Sequence, residues 1–319
     1  PKHGILAVPN TAVRSIDGAY SQMTLTASSP RPAETLLILF AGISSLIVAH
    51  GLGRFAFTPL LPYLIQDNVI TLAQGANLAT WNYIGYLVGA LVAVSLHGRN
   101  STQSVLIWAL LVNAGLTILQ IITTDYTFFL LLRLCNGITN GLVFVLVPAL
   151  ILEWLAEHHK TQLSGLMFTG VSIGLILDSI LIDWSSAWFS GQLRWIPIGL
   201  VALPLALFSV WQLKKITLSS RPTVVIRSSH LLDRNSTPLF IGYAGAGLGY
   251  ILPMTFLPTL AHELIRNQPF ILTNIWLITA LSCLILLPFW NKLGASTNDR
   301  FALICSYIVQ ILSLIAVLI

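Results

Sequence analysis

Nine apolar segments of about 20 residues follow one another along the chain, and they constrain its fold more than any other feature. In lipid a segment must satisfy its backbone hydrogen bonds internally, so each is expected to span as a helix. The predicted spans are Leu36–Tyr63, Ala76–Leu96, Val105–Thr123, Thr127–Trp154, Leu163–Ile182, Ile196–Trp211, Phe240–Leu260, Phe270–Trp290 and Phe301–Ile319. The sequence therefore predicts an all-α, polytopic membrane protein.

The composition excludes an ordinary soluble protein. Hydrophobic residues make up 55% of the chain and charged residues 8%, whereas a soluble domain has about 25% charged residues. The net charge of +5 could suggest a nucleic-acid partner, but the basic residues lie mainly in short loops between spans, as in membrane proteins generally. We expect a multi-pass protein of the inner (plasma) membrane, with the lipid bilayer around it and no nucleic-acid partner.

The distribution of lysine and arginine predicts the orientation. If the spans alternate in direction, twelve of these residues fall on one side of the membrane and only Arg194 and Arg266 on the other. The positive-inside rule then places the amino terminus in the cytoplasm. We expect a disordered cytoplasmic leader (1–34), a six-helix half (35–213), a cytoplasmic linker (214–237) and the first three helices of a second half (238–319).

A repeat supports the division into halves. The block GLGRFAFTPLLP, Gly51–Pro62, returns 196 residues later as GLGYILPMTFLP, Gly247–Pro258. The matched positions include Gly51 with Gly247, Gly53 with Gly249 and Pro62 with Pro258, while Tyr250 replaces Arg54. Repeats of like orientation are typical of transporters built from two parallel six-helix halves. Two complete halves would need roughly 430 residues and about twelve helices, so we expect this chain to be a fragment.

Two motifs resemble a known superfamily. The stretch HGLGRFAFTPLLPYL, His50–Leu64, resembles the signature of the uncharacterised YbfB/YjiJ-type branch of the major facilitator superfamily. The stretch RLCNGITNG, Arg133–Gly141, resembles that superfamily's Arg-x-x-x-Gly motif in the fourth helix. The resemblance extends from about residue 35 to the end of the chain. It implies the superfamily's helical bundle and secondary transport, and it does not identify a substrate.

Arg54 is the principal candidate for function. A charge near the bilayer centre costs about 2.5 to 3.5 kcal/mol on insertion scales, so its guanidinium should face protein, water or a ligand. Gly51 and Gly53 permit close helix packing, and Pro59 and Pro62 are expected to bend the outer end of the helix. The alternative is a structural arginine that reaches outward to the interface.

Other polar residues are candidates for the same cavity. The candidate lining residues are Arg133, Asn136 and Asn140 of the fourth span, Trp81 and Asn82 of the second, and Tyr243 and Tyr250 of the seventh. A structural role for Arg133 is an equal alternative. Asp178 is a candidate for proton coupling, since a carboxyl group in low dielectric can hold a proton. Gly137, Gly170 and Gly174 are expected to pack helices, as is the Gly247, Gly249 and Pro258 block.

These features predict a transporter that moves a small molecule, with or without protons, by alternating access. The two arginines favour an anionic or carboxylate-bearing substrate. One alternative is a membrane-embedded binding or sensor protein without a transport cycle. Another is an intramembrane serine hydrolase, because Gly170, Ser172 and Gly174 match G-x-S-x-G. We predict neither a cofactor nor a metal site.

Overall fold

The computed structural model describes residues 31–96, 101–123, 125–216, 236–264 and 269–318. The chain divides by contacts into Pro1–Leu36 and Leu37–Ile319. In the first unit, only the start of a helix at Pro32 is described, and the rest of the predicted leader lies outside the described residues. The predicted linker lies largely outside them too, since residues 217–235 are not described.

The described part is helical and contains no strand. Helix α1 is Pro32–Leu46, and it continues through a π-helical segment, Ile47–Phe55, into α2, Phe57–Gln66. The later helices are α3 (Leu72–Leu96), α4 (Thr102–Leu119), α5 (Tyr126–Glu157), α6 (Ser164–Met167), α7 (Thr169–Ser185), α8 (Ile196–Leu213), α9 (Thr237–Leu264), α10 (Pro269–Ser296) and α11 (Asp299–Leu318).

Eight helical stretches in the described residues are long and apolar enough to cross a membrane, which confirms the predicted fold class. They correspond to the first eight predicted spans. The ninth prediction also coincides with a helix, but the apolar stretch there, Arg300–Ala316, is shorter than the other eight. The first span begins at Pro32 rather than Leu36, because proline is well suited to the first turn of a helix.

The first span is the most enclosed. Of its most apolar window, 78% is buried, against 33% for the second span. Its π-helical segment packs against α4, α5, α7 and α8, and α3 pairs closely with α5. Helix α2 contacts α9, and α7 contacts α10, so the first and fifth spans meet the later helices.

Glycines allow the closest of these approaches. A Cβ atom added to Gly137 of α5 would collide with the backbone carbonyl of Asn82 in α3, and one added to Gly51 would collide with the backbone of Gly174 in α7. Apolar side chains gain little by leaving lipid for another apolar surface, so close backbone contact drives much of helix association in a membrane.

Two large apolar clusters and a polar layer lie in the interior of the described helices. One includes Leu39, Leu110 and Leu150, and the other includes Leu60, Leu78 and Phe129. This polar layer consists of buried polar residues of the first four spans: Arg54, Asn82, Asn113, Thr117, Arg133, Asn136 and Asn140. Polar groups at such depth in a membrane protein are costly and usually functional. This layer is therefore the place to look for a site.

Candidate functional site

The π-helical segment holds Arg54 in place. Its backbone is wider than that of an α-helix. At its end, the N–H of Ala56 donates to the carbonyl of Gly51, five residues earlier, at 3.1 Å. Pro59 has no N–H to offer the carbonyl of Phe55, so regular α-helical bonding is interrupted where α2 begins. Such segments are rare and often occur at functional sites. Irregular backbone was predicted at the prolines, and it lies mainly before them.

The guanidinium of Arg54 is surrounded by aromatic rings. Its Cζ atom lies 4.3 Å from the ring centroid of Tyr86 and 5.1 Å from those of Phe55 and Tyr83. Arg54 is only 6% exposed. Among the described residues, its Nε atom has no hydrogen-bond partner and no carboxylate lies within 4.0 Å of the guanidinium. The rings favour a cation, but they do not neutralise its charge.

Arg133 reaches the same segment from α5. Its Nη1 donates to the carbonyl of Gly53 at 3.3 Å, and its Cζ lies 4.5 Å from the ring centroid of Phe57. Arg133 is 2% exposed, and its Nε has no partner among the described residues. It too has no carboxylate within 4.0 Å in that part of the chain. Arg133 therefore combines a structural bond with an unneutralised charge.

A small cavity of about 10 Å³, room for about one water molecule, brings these side chains together. Its lining residues are Arg54, Phe55, Phe57, Thr58, Ala79, Asn82, Tyr83, Arg133 and Thr255. Thr255 comes from α9, and its hydroxyl is hydrogen-bonded to that of Tyr83. Three of the residues predicted to line a cavity, Arg54, Asn82 and Arg133, thus meet at one site.

Asn136 and Asn140 lie deeper, in a network of amides and hydroxyls. Asn113 Nδ2 donates to Asn140 Oδ1 at 2.6 Å and to Thr139 Oγ1 at 2.9 Å, while Asn140 Nδ2 donates to Asn136 Oδ1 at 3.0 Å. Oδ1 of Asn113 would contact a Cβ atom at Gly53 at 2.7 Å. The network joins α4 and α5 beneath the π-helical segment, next to the cavity rather than in its lining.

Asp178 is fully buried in α7. Neither carboxyl oxygen has a hydrogen-bond partner among the described residues, and Asp178 is not part of the cavity lining. Ser172 lies inside the same helix. A nucleophile elbow needs a strand-to-helix turn, so the G-x-S-x-G match lacks its structural context. Gly170 and Gly174 instead lie against the backbone of the first span, at Ile43 and Gly51.

Most of the remaining predicted residues are more exposed. Tyr243 and Tyr250 are 70% and 42% exposed and do not line the cavity. Trp81 is half-buried beside Asn82. In the second repeat, no atom of the described residues comes within 4 Å of a Cβ added to Gly247, Gly249 lies against Gln310, and Pro258 is buried in α9.

Sequence reasoning did not select His50. Its imidazole is 4% exposed and lies 4.2 Å from the ring centroid of Phe144, with Tyr86 at 5.7 Å and Phe55 at 6.0 Å. Nδ1 of His50 has no partner in the described part of the chain. The available signal was a histidine inside an apolar run, one turn before Arg54.

An ion pair lies at the other end of the first span. Asp67 accepts hydrogen bonds from Arg194 Nε and from the backbone N–H of Gly191, both at 2.7 Å. The hydrogen bond from Arg194 lowers the pKa of Asp67, and the bond from Gly191 acts in the same direction, while partial burial opposes both. Arg194 also lies over Tyr63. This pair connects the end of α2 to the segment before α8.

A family model described as "Uncharacterised MFS-type transporter YbfB" matches residues 46–319. The match covers the π-helical segment, the cavity and all the later helices.

Three curated proteins show local similarity. A putative metabolite transport protein of Haemophilus influenzae is 28% identical over 42% of this chain and 34% of its own length. The 4-hydroxybenzoate transporter PcaK of Acinetobacter baylyi is 26% identical over 52% of this chain and 37% of its own length. Human synaptic vesicle glycoprotein 2B is 28% identical over 39% of this chain and 18% of its own length. The matches thus span about a third or less of these relatives.

Proposed function

Because the chain belongs to the YbfB family of uncharacterised MFS-type transporters, we propose that it is a secondary active transporter of a small carboxylate-bearing molecule. It is a multi-pass membrane protein. In this proposal the six-helix half and the later helices move relative to each other, so that the cavity opens alternately to each side of the inner membrane. The amino terminus and the 214–237 linker face the cytoplasm, and the chain is not an enzyme.

One observation carries the choice of substrate. Arg54 and Arg133 line the same cavity, both are nearly inaccessible to solvent, and neither has a carboxylate within 4.0 Å in the described residues. A buried charge without a partner is unfavourable by several kcal/mol. A bound anion would neutralise it, and a carboxylate matches the planar fork of a guanidinium.

The relatives support this class of substrate. One is named for the transport of 4-hydroxybenzoate, which is a carboxylate, and another for the transport of a metabolite. The aromatic residues Phe55, Phe57 and Tyr83 in the lining also suit a substrate with an apolar body. The other residues predicted from the sequence to line a cavity would contribute as neighbours of its walls: Asn136, Asn140, Trp81, Tyr243 and Tyr250.

We propose Asp178 as the proton-coupling group. It is a fully buried carboxyl group whose oxygens have no partner among the described residues, and a carboxyl group in such surroundings is more stable when protonated. A state of the cycle that opened α7 to water would allow the proton to leave. Movement of α7 against α10, which it contacts, would connect this step to the opening of the cavity.

Uptake measurements test the proposal. The protein expressed from its complete gene is reconstituted into vesicles, and accumulation of labelled benzoate and 4-hydroxybenzoate is measured with an inward proton gradient. We expect accumulation that an uncoupler abolishes and that Arg54→Ala eliminates. The matched control is Arg300→Ala, which removes an exposed arginine and should retain uptake.

Two results would contradict it. Undiminished accumulation by Arg54→Ala would show that transport does not require this arginine. Binding of both carboxylates without accumulation would favour the alternative of a membrane-embedded sensor.

A further inference from the structure

Three buried polar atoms belong to residues of the cavity lining and have no partner in the described part of the chain. They are Nε of Arg54, Nε of Arg133 and Oδ1 of Asn82. From this set we infer that the substrate carries a hydrogen-bond donor, a hydroxyl or N–H group, in addition to its carboxylate, and that Asn82 selects for that donor. The inference rests on the proposed function, since it extends the same site.

The orientation of the Asn82 amide follows from its neighbour. One end of the amide lies 2.9 Å from the backbone carbonyl oxygen of Arg133. A carbonyl oxygen only accepts hydrogen bonds, so the amide atom facing it must be Nδ2. Oδ1 is therefore the atom left without a partner, and it only accepts. Asn82 is 1% exposed, so this acceptor is withdrawn from solvent.

Three hydroxyl groups line the cavity, those of Thr58, Tyr83 and Thr255, and in the described residues none of them bonds to Oδ1 of Asn82. Thr255 donates its hydroxyl proton to the carbonyl of Ile251 at 2.6 Å and accepts from Tyr83. Both protons of this pair are thus committed to other acceptors.

The unpartnered atoms define a complementary ligand. The two guanidinium N–H groups lack hydrogen-bond acceptors, which a carboxylate provides. The Asn82 oxygen lacks a hydrogen-bond donor, which a carboxylate cannot provide. A simple carboxylate would leave that oxygen unpaired, whereas a hydroxy or amino carboxylate would satisfy all three atoms. A site built to bond a hydroxyl discriminates against analogues without it, because its buried polar group is then left without a partner.

Carboxylates with a phenyl ring are suitable probes, because three aromatic residues line the cavity. The dissociation constants of phenylacetate, mandelate, 3-hydroxyphenylacetate and 4-hydroxyphenylacetate are measured on the purified protein from the complete gene. These acids place the hydroxyl at different distances from the carboxylate. The O-methyl ethers of the three hydroxy acids keep the oxygen and remove the donor.

We expect at least one hydroxy acid to bind wild-type protein about tenfold or more tightly than phenylacetate, and its methyl ether to lose that advantage. In Asn82→Leu the hydroxy acid and phenylacetate should bind alike. Asn82→Ser serves as a second variant, since serine can still donate a hydrogen bond towards α5. The matched control is Asn77→Ser, on an exposed part of the same helix, where the amide donates to the hydroxyl of Tyr126; it should keep the preference.

The outcomes separate the inference from the proposed function. Equal binding of phenylacetate and all three hydroxy acids to wild-type protein would overturn the inference and leave a carboxylate site in place. A preference that survives in both Asn82 variants would also overturn it. Binding of none of the acids would count against the carboxylate site and, with it, the inference.

Discussion

Arg54 and Arg133 hold their charges in different ways, although both are buried. Arg54 lies among the rings of Phe55, Tyr83 and Tyr86, whereas Arg133 donates to the carbonyl of Gly53. The first arrangement restrains the guanidinium without occupying all of its N–H groups, and the second uses one N–H group to join two helices. Substitutions at the two positions should therefore have different consequences.

Arg54→Lys should weaken substrate binding without unfolding the protein. Lysine keeps the charge but loses the planar fork, and one charge-assisted hydrogen bond contributes about 1.5 to 3 kcal/mol, roughly tenfold to hundredfold in affinity. The measurement is the dissociation constant of a transported carboxylate together with the thermal unfolding midpoint. Arg133→Lys, the matched variant, should also lower the midpoint. An unchanged affinity in Arg54→Lys would show that charge alone is sufficient there.

Asp67 should make a stabilising contribution that disappears in acid. Its folded-state pKa is lowered, chiefly by the Arg194 hydrogen bond, so the contribution is complete above the unfolded pKa of about 3.9 and is lost as pH falls through the folded value. The midpoint difference between wild type and Asp67→Asn should stay constant from about pH 8 to about pH 5 and shrink below about pH 4. A difference that widens as the pH falls would contradict this.

Helix packing in the first span depends on glycine. Gly51→Ala and Gly174→Ala each place a Cβ atom against backbone that cannot move aside easily, and overpacking typically costs about 1 to 3 kcal/mol. Both variants should unfold at lower temperature. Gly247→Ala, at the position matched in the second repeat, has open space around its Cβ and should be neutral or slightly stabilising. Equal effects at Gly51 and Gly247 would mean that the close contact is not decisive.

The sequence was sufficient to predict the helices and part of the site. Apolar length alone indicates a span, and a cation within such a span must find polar or aromatic surroundings, which is why Arg54 and Arg133 could be selected. Asn82 could be selected as an amide in an apolar helix. The roles of Gly51 and Gly174 as packing residues also followed from their size.

Other features depend on tertiary contacts that a single sequence does not reveal. The π-helical segment lies within a long apolar span, and the pattern of apolar residues does not report whether the backbone bonds from i to i−4 or from i to i−5. In the sequence, nothing distinguishes Asn113 from other amides. Its role follows from Asn140 and Thr139 of another helix, which lie beside it in the structure. Likewise, Tyr86 and His50 gain their significance from neighbours distant in sequence.

At the scale of the whole molecule, the first six spans meet the later helices at several separate places in the described residues. Helix α2 contacts α9, α7 contacts α10, and the Tyr83 hydroxyl bonds to that of Thr255 beside the cavity. A small apolar cluster of Phe55, Leu175 and Trp276 adds to the contact. Alternating access, as proposed, would require such contacts to break and reform.

The proposed topology can be tested with single cysteines. Asn68 lies in the turn after the first span and Lys214 at the end of the sixth, and both are exposed. In a background without the three native cysteines, Asn68→Cys should react with a membrane-impermeant maleimide added outside cells, and Lys214→Cys only after the membrane is opened. Labelling of both from the same side would contradict the orientation.

Because of the π-helical segment, residues at equal spacing in the two repeats do not point in equivalent directions. Gly51 and Gly53 match Gly247 and Gly249 letter for letter, but the first block runs through i to i−5 bonding and the second lies in a continuous α-helix. Each residue of the wider helix turns the chain through a smaller angle, so side chains at equal spacing diverge around the axis. In the described residues, Arg54 is 6% exposed and its counterpart Tyr250 is 42% exposed. Deleting one residue between Ile47 and Phe55 could restore α-helical bonding locally, yet it would rotate Arg54 relative to the helix before it.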